Sequence, residues 1–276
     1  MFATELVKKN NFDQTFMSPE VKIDQIFHKN KRFFAVRDDL LPGGSKQRAC
    51  APFLQKLVKE GQDDFYYASP FAGFAQVALA YTCQQLGLNC RLFCESDPTQ
   101  KLAGQKHEFT KLAEAYGANI SMHATLKEAE ERATEMACQS RRSYKIPLGF
   151  KCDPFTDAFE EALRIQWAKV IDQIGFVPRR LWLPVGSGTL VSVFERIVDP
   201  TTQLMCVDVH VLPAKDARIL SLVGHSKINL FSAPEYFKDR ADLPPEIPSN
   251  VHYDAKLWQF LVKYGQADDL WWNVAR

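Results

Sequence analysis

The chain has 276 residues, of which 46% are hydrophobic and 24% charged, and its formal net charge at pH 7 is +1. These values are ordinary for a soluble globular protein with one large domain or two modest ones. The near-zero net charge argues against a broadly basic surface that binds nucleic acid.

Cysteine and histidine spacing argues against disulfides and metal sites. The seven cysteines are odd in number and include no Cys-x-x-Cys pair, which is typical of reduced thiols in the cytosol. The six histidines show no His-x-His or His-x-x-x-His spacing, so no metal site is predicted. The segment after Phe2 is too polar for a signal peptide, and no apolar run approaches transmembrane length. We therefore expect a soluble, cytoplasmic protein.

Strand-like apolar runs alternate with amphipathic stretches of helical period along the chain. The predicted strands cover residues 33–37, 64–68, 90–94, 119–122, 181–185 and 204–209. The predicted helices cover residues 46–59, 73–86, 99–116, 126–140 and 154–174. Because parallel strands joined by crossover helices produce this alternation, the sequence predicts a layered α/β protein.

The first predicted strand leads into a turn that carries a lysine. Asp38 and Asp39 follow the strand, then comes Pro42-Gly43-Gly44-Ser45-Lys46, with Lys46 in the first turn of a predicted helix. A positive field and partial burial lower the pKa of a lysine, and its neutral amine can form a Schiff base with an aldehyde. The two aspartates either orient Lys46 or cap the turn, and the second interpretation is favoured. Taken alone, the segment also fits an ordinary solvated lysine.

A second segment, residues 181–194, predicts a strand, a loop of small residues and a helix. The loop Gly186-Ser187-Gly188-Thr189 offers backbone N–H groups and two hydroxyls at a helix start, which suits a phosphate group. It has neither the Gly-Lys-Ser/Thr of a Walker P-loop nor the three glycines of a dinucleotide fingerprint. Because ligands of parallel sheets lie beyond the carboxyl ends of the strands, Lys46, Ser69 and Gly186 are predicted to share one site.

Together the two segments resemble those of the fold type II, or tryptophan-synthase-β-like, pyridoxal-phosphate enzymes. Within that group they look like the branch of aminocyclopropane-carboxylate deaminase and D-cysteine desulfhydrase. The resemblance runs from about residue 33 to about residue 194. It implies pyridoxal 5'-phosphate as cofactor, Lys46 as its Schiff-base lysine, and a phosphate site formed by Gly186, Ser187, Gly188 and Thr189.

The resemblance also implies the architecture. We expect two three-layer α/β/α domains with mostly parallel sheets and the cofactor cleft between them. Residues 1–48 and 145–276 would form the large cofactor-binding domain, and residues 49–144 a small mobile α/β domain. The segment 147–150 is the expected crossing between them, and the Pro-rich segment 241–250 is predicted to be an extended surface loop. A homodimer is an expectation from the family.

At three predicted site positions this sequence departs from the family pattern or matches it only weakly. Gly73 replaces the asparagine that contacts the pyridoxal ring hydroxyl, which leaves Ser69 or the backbone of Ala72 and Gly73 to face the cofactor or a substrate carboxylate. Asn273 is predicted to be the partner of the pyridine nitrogen, or else a turn residue; an uncharged partner leaves that nitrogen unprotonated. Tyr253 is predicted to contact the ring or the substrate, or to serve packing.

The resemblance implies an enzyme of lyase type that acts on the amine of an amino acid. The substrate amine displaces Lys46 from the cofactor and forms an external aldimine, and the freed amine of Lys46 acts as general base. The sequence does not distinguish between deamination, elimination and decarboxylation as the reaction.

Two alternatives accompany this interpretation. The loop from Ser69 to Gly73, the short length and the C-terminal sequence also resemble bacteriophage pyridoxal-phosphate proteins of thymidine hypermodification. That resemblance implies a glycyl- or seryl-type group attached to thymidine in DNA as substrate, an extruded base in the cleft and the host cytoplasm as location. The second alternative is a catalytically inactive binding protein, against which the presence of both Lys46 and the glycine-rich loop argues.

Overall fold

The computed structural model describes residues 18–98 and 105–276. The strands of this part are β1 (Ile23–His28), β2 (Lys31–Arg37), β3 (Asp64–Ser69), β4 (Asn89–Glu95), β5 (Asn119–His123), β6 (Ser143–Ile146), β7 (Arg180–Val185), β8 (Gln203–Asp208), β9 (Ile228–Ser232) and β10 (Leu270–Asn273). The α-helices are α1 (Gln47–Lys59), α2 (Ala75–Leu86), α3 (Glu108–Ala115), α4 (Leu126–Ala137), α5 (Asp153–Ile174), α6 (Thr189–Ile197), α7 (Ala217–Leu220) and α8 (Ala255–Tyr264).

The strands form two sheets. The larger has the order β1-β2-β10-β7-β8-β9, and the smaller has the order β5-β4-β3-β6. All neighbouring strands run parallel except β1 and β2, which are antiparallel. The last strand, β10, lies between β2 and β7, so three segments far apart in sequence meet at the centre of the larger sheet.

Apolar side chains cover both faces of the larger sheet. On β2, Phe34 and Val36 belong to a core that includes residues of α1, α5 and α6. The alternate residues Phe33 and Ala35 belong to a second core with α8. Burial on both faces is typical of parallel sheets, which are covered by helices on either side. This layering leaves the carboxyl ends of the strands as the place where polar loops meet.

The predicted α/β architecture with mostly parallel sheets is confirmed, and the six predicted strands correspond to β2, β3, β4, β5, β7 and β8. The six predicted strands do not include β1, β6, β9 or β10. The first three are edge strands whose half-exposed residues interrupt an apolar run, and β10 is a central strand of only four residues. The helix predicted over 99–116 is observed as α3, and residues 99–104 lie outside the described residues. The boundaries of a small mobile domain stay a prediction. Within the described ranges, none of the helices has the length and apolarity that a membrane span requires.

Candidate active site

The turns that follow β2, β3 and β7 line one cleft of about 630 Å³. Lys46, Gly186 and Ser187 lie in its wall, and they also line a second cavity of about 290 Å³ that extends to Gly188 and Thr189. The lysine turn and the glycine-rich loop, 140 positions apart along the chain from Lys46 to Gly186, are therefore brought together as the sequence predicts. The two cavities have common walls and form one continuous site.

Two glycines place Lys46. A Cβ atom on Gly43 would lie 2.2 Å from Cα of Ala78, so the turn packs directly on α2. Gly44 has a φ of 64°, and a Cβ atom there would lie 2.3 Å from the carbonyl oxygen of Val274. Only glycine combines this backbone conformation with so close an approach. The N–H of Ser45 donates to the same carbonyl at 3.3 Å, which ties the lysine turn to the end of β10.

The aspartates that precede the turn are structural. Asp38 is fully buried and accepts hydrogen bonds from Arg48 Nη2 at 2.5 Å and from Trp272 Nε1 at 2.8 Å. Asp39 is also buried and accepts from Nε of Arg37 at 2.7 Å. Buried carboxylates that are paired in this way hold the backbone in one conformation. They fix the turn that carries Lys46, and they do not line the cleft.

Burial lowers the pKa of Lys46 to about 8, against an ordinary value of 10.5. Removal of the ammonium group from water favours the neutral amine. The nearby groups of Cys50 and Asp254 oppose the shift without cancelling it. Near neutral pH a larger share of Lys46 is thus an unprotonated nucleophile than of an ordinary lysine.

The glycine-rich loop joins β7 to α6. Gly188 precedes the helix with a φ of 77°, a left-handed conformation that favours glycine. Ser187 Oγ and Thr189 Oγ1 are 3.0 Å apart, and Thr189 Oγ1 donates to the carbonyl oxygen of Gly149 at 3.1 Å. Hydroxyls and free N–H groups at a helix N-terminus form a site for an anion.

Tyr253 packs against this loop. A Cβ atom on Gly186 would lie 2.8 Å from the Tyr253 hydroxyl oxygen, so the ring rests on the backbone of the loop. The N–H of Gly186 donates to that hydroxyl, but burial dominates and raises the pKa of Tyr253 above its usual range. Tyr253 therefore keeps its proton at ordinary pH and presents a neutral hydroxyl beside Lys46 and the loop.

The segment after β3 contributes backbone to the site. Ala72 and Gly73 line the cleft. Ser69 is fully buried, donates to the carbonyl oxygen of Pro70 at 3.1 Å and is not part of the lining. A Cβ atom on Gly73 would lie 2.7 Å from Oγ of Ser69. This contact leaves no room at position 73 for the asparagine side chain of the family pattern.

Asn273 is the last residue of β10 and is fully buried. Its Nδ2 donates to the carbonyl oxygen of Pro248 at 2.8 Å, and it lines neither cavity. The next two residues, Val274 and Ala275, line the cleft instead. The role of Asn273 as partner of the pyridine nitrogen therefore stays a prediction that these contacts do not support.

Several residues that line the cleft are not predicted from the sequence. They are Tyr67, Phe74, Leu148, Gly149, Val211, Phe237 and Asn250. The one usable signal was the predicted crossing segment 147–150, since a chain that passes between two sheets runs along the cleft between them. Asn250 ends the segment predicted to be a surface loop, yet it is only 3% exposed.

The residues that line the two cavities fit pyridoxal 5'-phosphate. An amine of lowered pKa suits the aldehyde, and the loop with Ser187 and Thr189 suits the phosphate. Among the described residues that line the cavities, Lys46 is the only charged one, so a phosphate dianion meets no carboxylate there.

Comparison with known proteins agrees with this fit. A family model described as "pyridoxal-phosphate dependent enzyme" matches residues 13–217. No curated protein matches the chain.

Solved structures share the fold. An ACC deaminase homologue has a TM-score of 0.71 and 17% identity over 94% of this chain and 90% of that one. The O-acetylserine-dependent cystathionine β-synthase of Helicobacter pylori has a TM-score of 0.66 and 17% identity over 94% of this chain and 93% of that one. The apo diaminopropionate ammonia lyase of Escherichia coli has a TM-score of 0.62 and 14% identity over 88% of this chain and 77% of that one. At such identities the likeness shows the fold alone. The family match, which covers most of the chain, shows more: the chain belongs to the pyridoxal-phosphate-dependent enzymes, and its cofactor is pyridoxal 5'-phosphate.

Proposed function

We propose that the protein is a lyase that releases ammonia from a free amino acid by deamination or elimination. The observation that carries this proposal is the presence of Lys46, with its lowered pKa, in the same cleft as the glycine-rich loop. When bound, the cofactor withdraws electrons from the bonds at the substrate Cα atom. The chain itself must hold the phosphate, orient the substrate and move a proton.

Each of these tasks has a residue suited to it. The N–H groups of residues 187–189 and the hydroxyl of Ser187 hold the phosphate, while Gly186 and Thr189 shape the loop through their bonds to Tyr253 and Gly149. Lys46 would hold the cofactor through its aldehyde, and its free amine would take the proton from the substrate Cα atom and pass it to the group that leaves Cβ. The N–H of Gly73 is taken by the carbonyl oxygen of Pro70 at 2.9 Å, so the backbone of Ala72 and the first turn of α2 bind the substrate carboxylate with help from the helix dipole.

The charge of the cleft favours a free amino acid over an amino-acid group carried on DNA. Lys46 is the only charged side chain among the described lining residues, and the cofactor occupies it. A polynucleotide backbone is bound mainly by lysine and arginine side chains, and the described cleft offers none for that purpose.

Product analysis tests the proposal. The holoenzyme is incubated with a panel of amino acids, and ammonia, 2-oxo acid and carbon dioxide are measured. We expect equal amounts of ammonia and 2-oxo acid from at least one amino acid, and no product from a Lys46→Ala variant. Carbon dioxide without ammonia would show a decarboxylase, and a mass change seen only with aminoacyl-thymidine DNA would show the DNA reaction. A holoenzyme that binds the cofactor yet converts nothing would be an inactive binding protein.

A further inference from the structure

Four half-buried apolar side chains line the cleft beyond the phosphate cavity: Phe74, Leu148, Val211 and Phe237. None of them lines the second cavity, whereas Lys46, Gly186 and Tyr253 line both. The common residues therefore mark the phosphate end of the site, and the four apolar side chains line the part of the cleft that is left for the cofactor ring and the substrate side chain. We propose that this apolar wall selects amino acids whose side chain is uncharged and, apart from the group that leaves Cβ, apolar, an inference that rests on the proposed function at Lys46.

Charge in and behind the wall supports this choice. No described lining residue other than Lys46 is charged. Two buried ionisable groups behind the wall are held by backbone groups: Lys256 Nζ, 5.9 Å from the centroid of the Phe237 ring, donates to the carbonyl oxygen of Tyr236 at 2.7 Å, and Asp254 accepts from the N–H groups of Val274 and Ala275. A charged substrate side chain would lose its water without gaining a partner, which is costly.

The wall is held in position before any ligand binds. The ring centroids of Phe237 and Phe71 are 5.5 Å apart, which joins the wall to the segment after β3. The chain around Phe237 is fixed on both sides, by Lys256 at Tyr236 and by His252, whose Nδ1 donates to the carbonyl oxygen of Asp239 at 3.2 Å. A preformed apolar surface binds apolar groups without the cost of ordering itself.

A ligand series tests the inference on the holoenzyme. Both enantiomers of alanine, norvaline, norleucine, lysine and glutamate are titrated, and the absorption of the bound cofactor gives the dissociation constants. Each added methylene from alanine to norleucine should tighten binding by up to about fourfold. Lysine, which adds an ammonium group to the norleucine chain, should bind at least about tenfold more weakly than norleucine. Equal affinities, or a preference for a charged side chain, would overturn the inference while leaving the proposed function intact. A spectrum that no amino acid changes would overturn both.

Substitutions in the apolar wall test whether its side chains cause the preference for apolar ligands. Phe237→Ala should reduce the preference for norleucine over alanine at least about fivefold, without changing how the cofactor binds. The matched control is Tyr236→Ala, because Tyr236 is the neighbouring aromatic residue and is 71% exposed. Val211→Lys should instead allow glutamate to bind, which keeps the test valid if the Phe237 variant unfolds. An unchanged preference in Phe237→Ala together with no glutamate binding in Val211→Lys would exclude the wall as the selecting element.

Discussion

Gly149 and Ser187 approach so closely that no side chain fits between them, since a Cβ atom on Gly149 would lie 2.1 Å from Oγ of Ser187. Gly149 has a φ of 71°, and its N–H lies 3.4 Å from the hydroxyl of Tyr67. The segment that passes from the smaller sheet to the larger one therefore packs directly on the phosphate loop. This contact makes the shape of the phosphate site depend on the position of the connecting segment.

Gly149→Ala should weaken cofactor binding at least about fivefold, because overpacking of about 1–3 kcal/mol would displace Ser187 from the loop. The measurement is a cofactor titration followed by absorbance. Gly175→Ala is the matched control: Gly175 also has a positive φ, of 82°, but nothing lies within 4 Å of its Cβ position. The control should lose about 1 kcal/mol of stability and keep its affinity. Equal affinities in both variants would show that the contact has no role in binding.

The rate at which the apo-protein attaches the cofactor aldehyde should rise with pH and level off above about 8. The unprotonated amine of Lys46 is the nucleophile, and its pKa is about 8 because of burial. The same shift makes the unfolded chain bind more protons than the folded one between pH 8 and 10.5, so the stability of the apo-protein should rise with pH in that window. Stopped-flow absorbance gives the midpoint, and a midpoint near 10.5 would contradict the buried position of the amine.

Asp38→Ala should cost about 3–5 kcal/mol in the free energy of unfolding, because it leaves the guanidinium of Arg48 buried without its partner. Urea denaturation measures the change. The control is Asp63→Ala, which removes the partner of Arg142, a side chain that is 72% exposed, and should cost at most about 1 kcal/mol. Similar losses in both variants would mean that the pair at Asp38 does not fix the lysine turn.

Two buried histidines meet beside the cleft. The ring centroids of His107 and His252 are 6.1 Å apart, and the ring of Phe71 lies 5.8 Å from the first and 5.5 Å from the second. Burial lowers the pKa of both histidines below 6.5. At His107 the carboxylates Glu108 and Asp97 oppose this shift, whereas the cations His252 and Lys111 add to it. At His252, the cations Lys256 and Arg240 add to it, and hydrogen bonds to the carbonyls of Asp239 and Phe237 oppose it.

The free energy of unfolding should therefore fall as the pH drops below about 6.5, because the unfolded chain takes up these protons first. The loss is complete once the pH is below the lowered pKa values. Replacing both residues, as His107→Gln and His252→Gln, should make the decline between pH 7 and 5 shallower. Carboxylates elsewhere contribute equally to both proteins, so the difference isolates the histidines. Parallel stability curves would contradict the shift.

The lysine turn and the glycine-rich loop were predictable because short-range sequence determines both. Pro42-Gly43-Gly44 and Gly186-Ser187-Gly188 each follow an apolar strand, and in a parallel sheet such turns lie at the same edge. The edge strands β1 and β9 were less predictable because they are half-exposed and lack a continuous apolar run.

The rest of the site depends on register and on long-range packing. A shift of one residue along β10 separates Asn273, which bonds to Pro248, from Val274, which lines the cleft. Phe237 reaches the cleft from an irregular segment with no periodic pattern. Its position is set by contacts with Phe71 and Lys256, which no local sequence signal contains.

Borohydride reduction of the holoenzyme, followed by peptide mass spectrometry, tests the central claim most directly. Among the described residues, two partly or fully buried lysines have a pKa of about 8, Lys46 and Lys256, so a lowered pKa alone does not decide between them. Lys256 is bonded to the carbonyl of Tyr236 and lines neither cavity. We expect one pyridoxyl group per chain, on Lys46, and none on a Lys46→Ala variant. A pyridoxyl group on Lys256 or spread over several lysines would contradict the account.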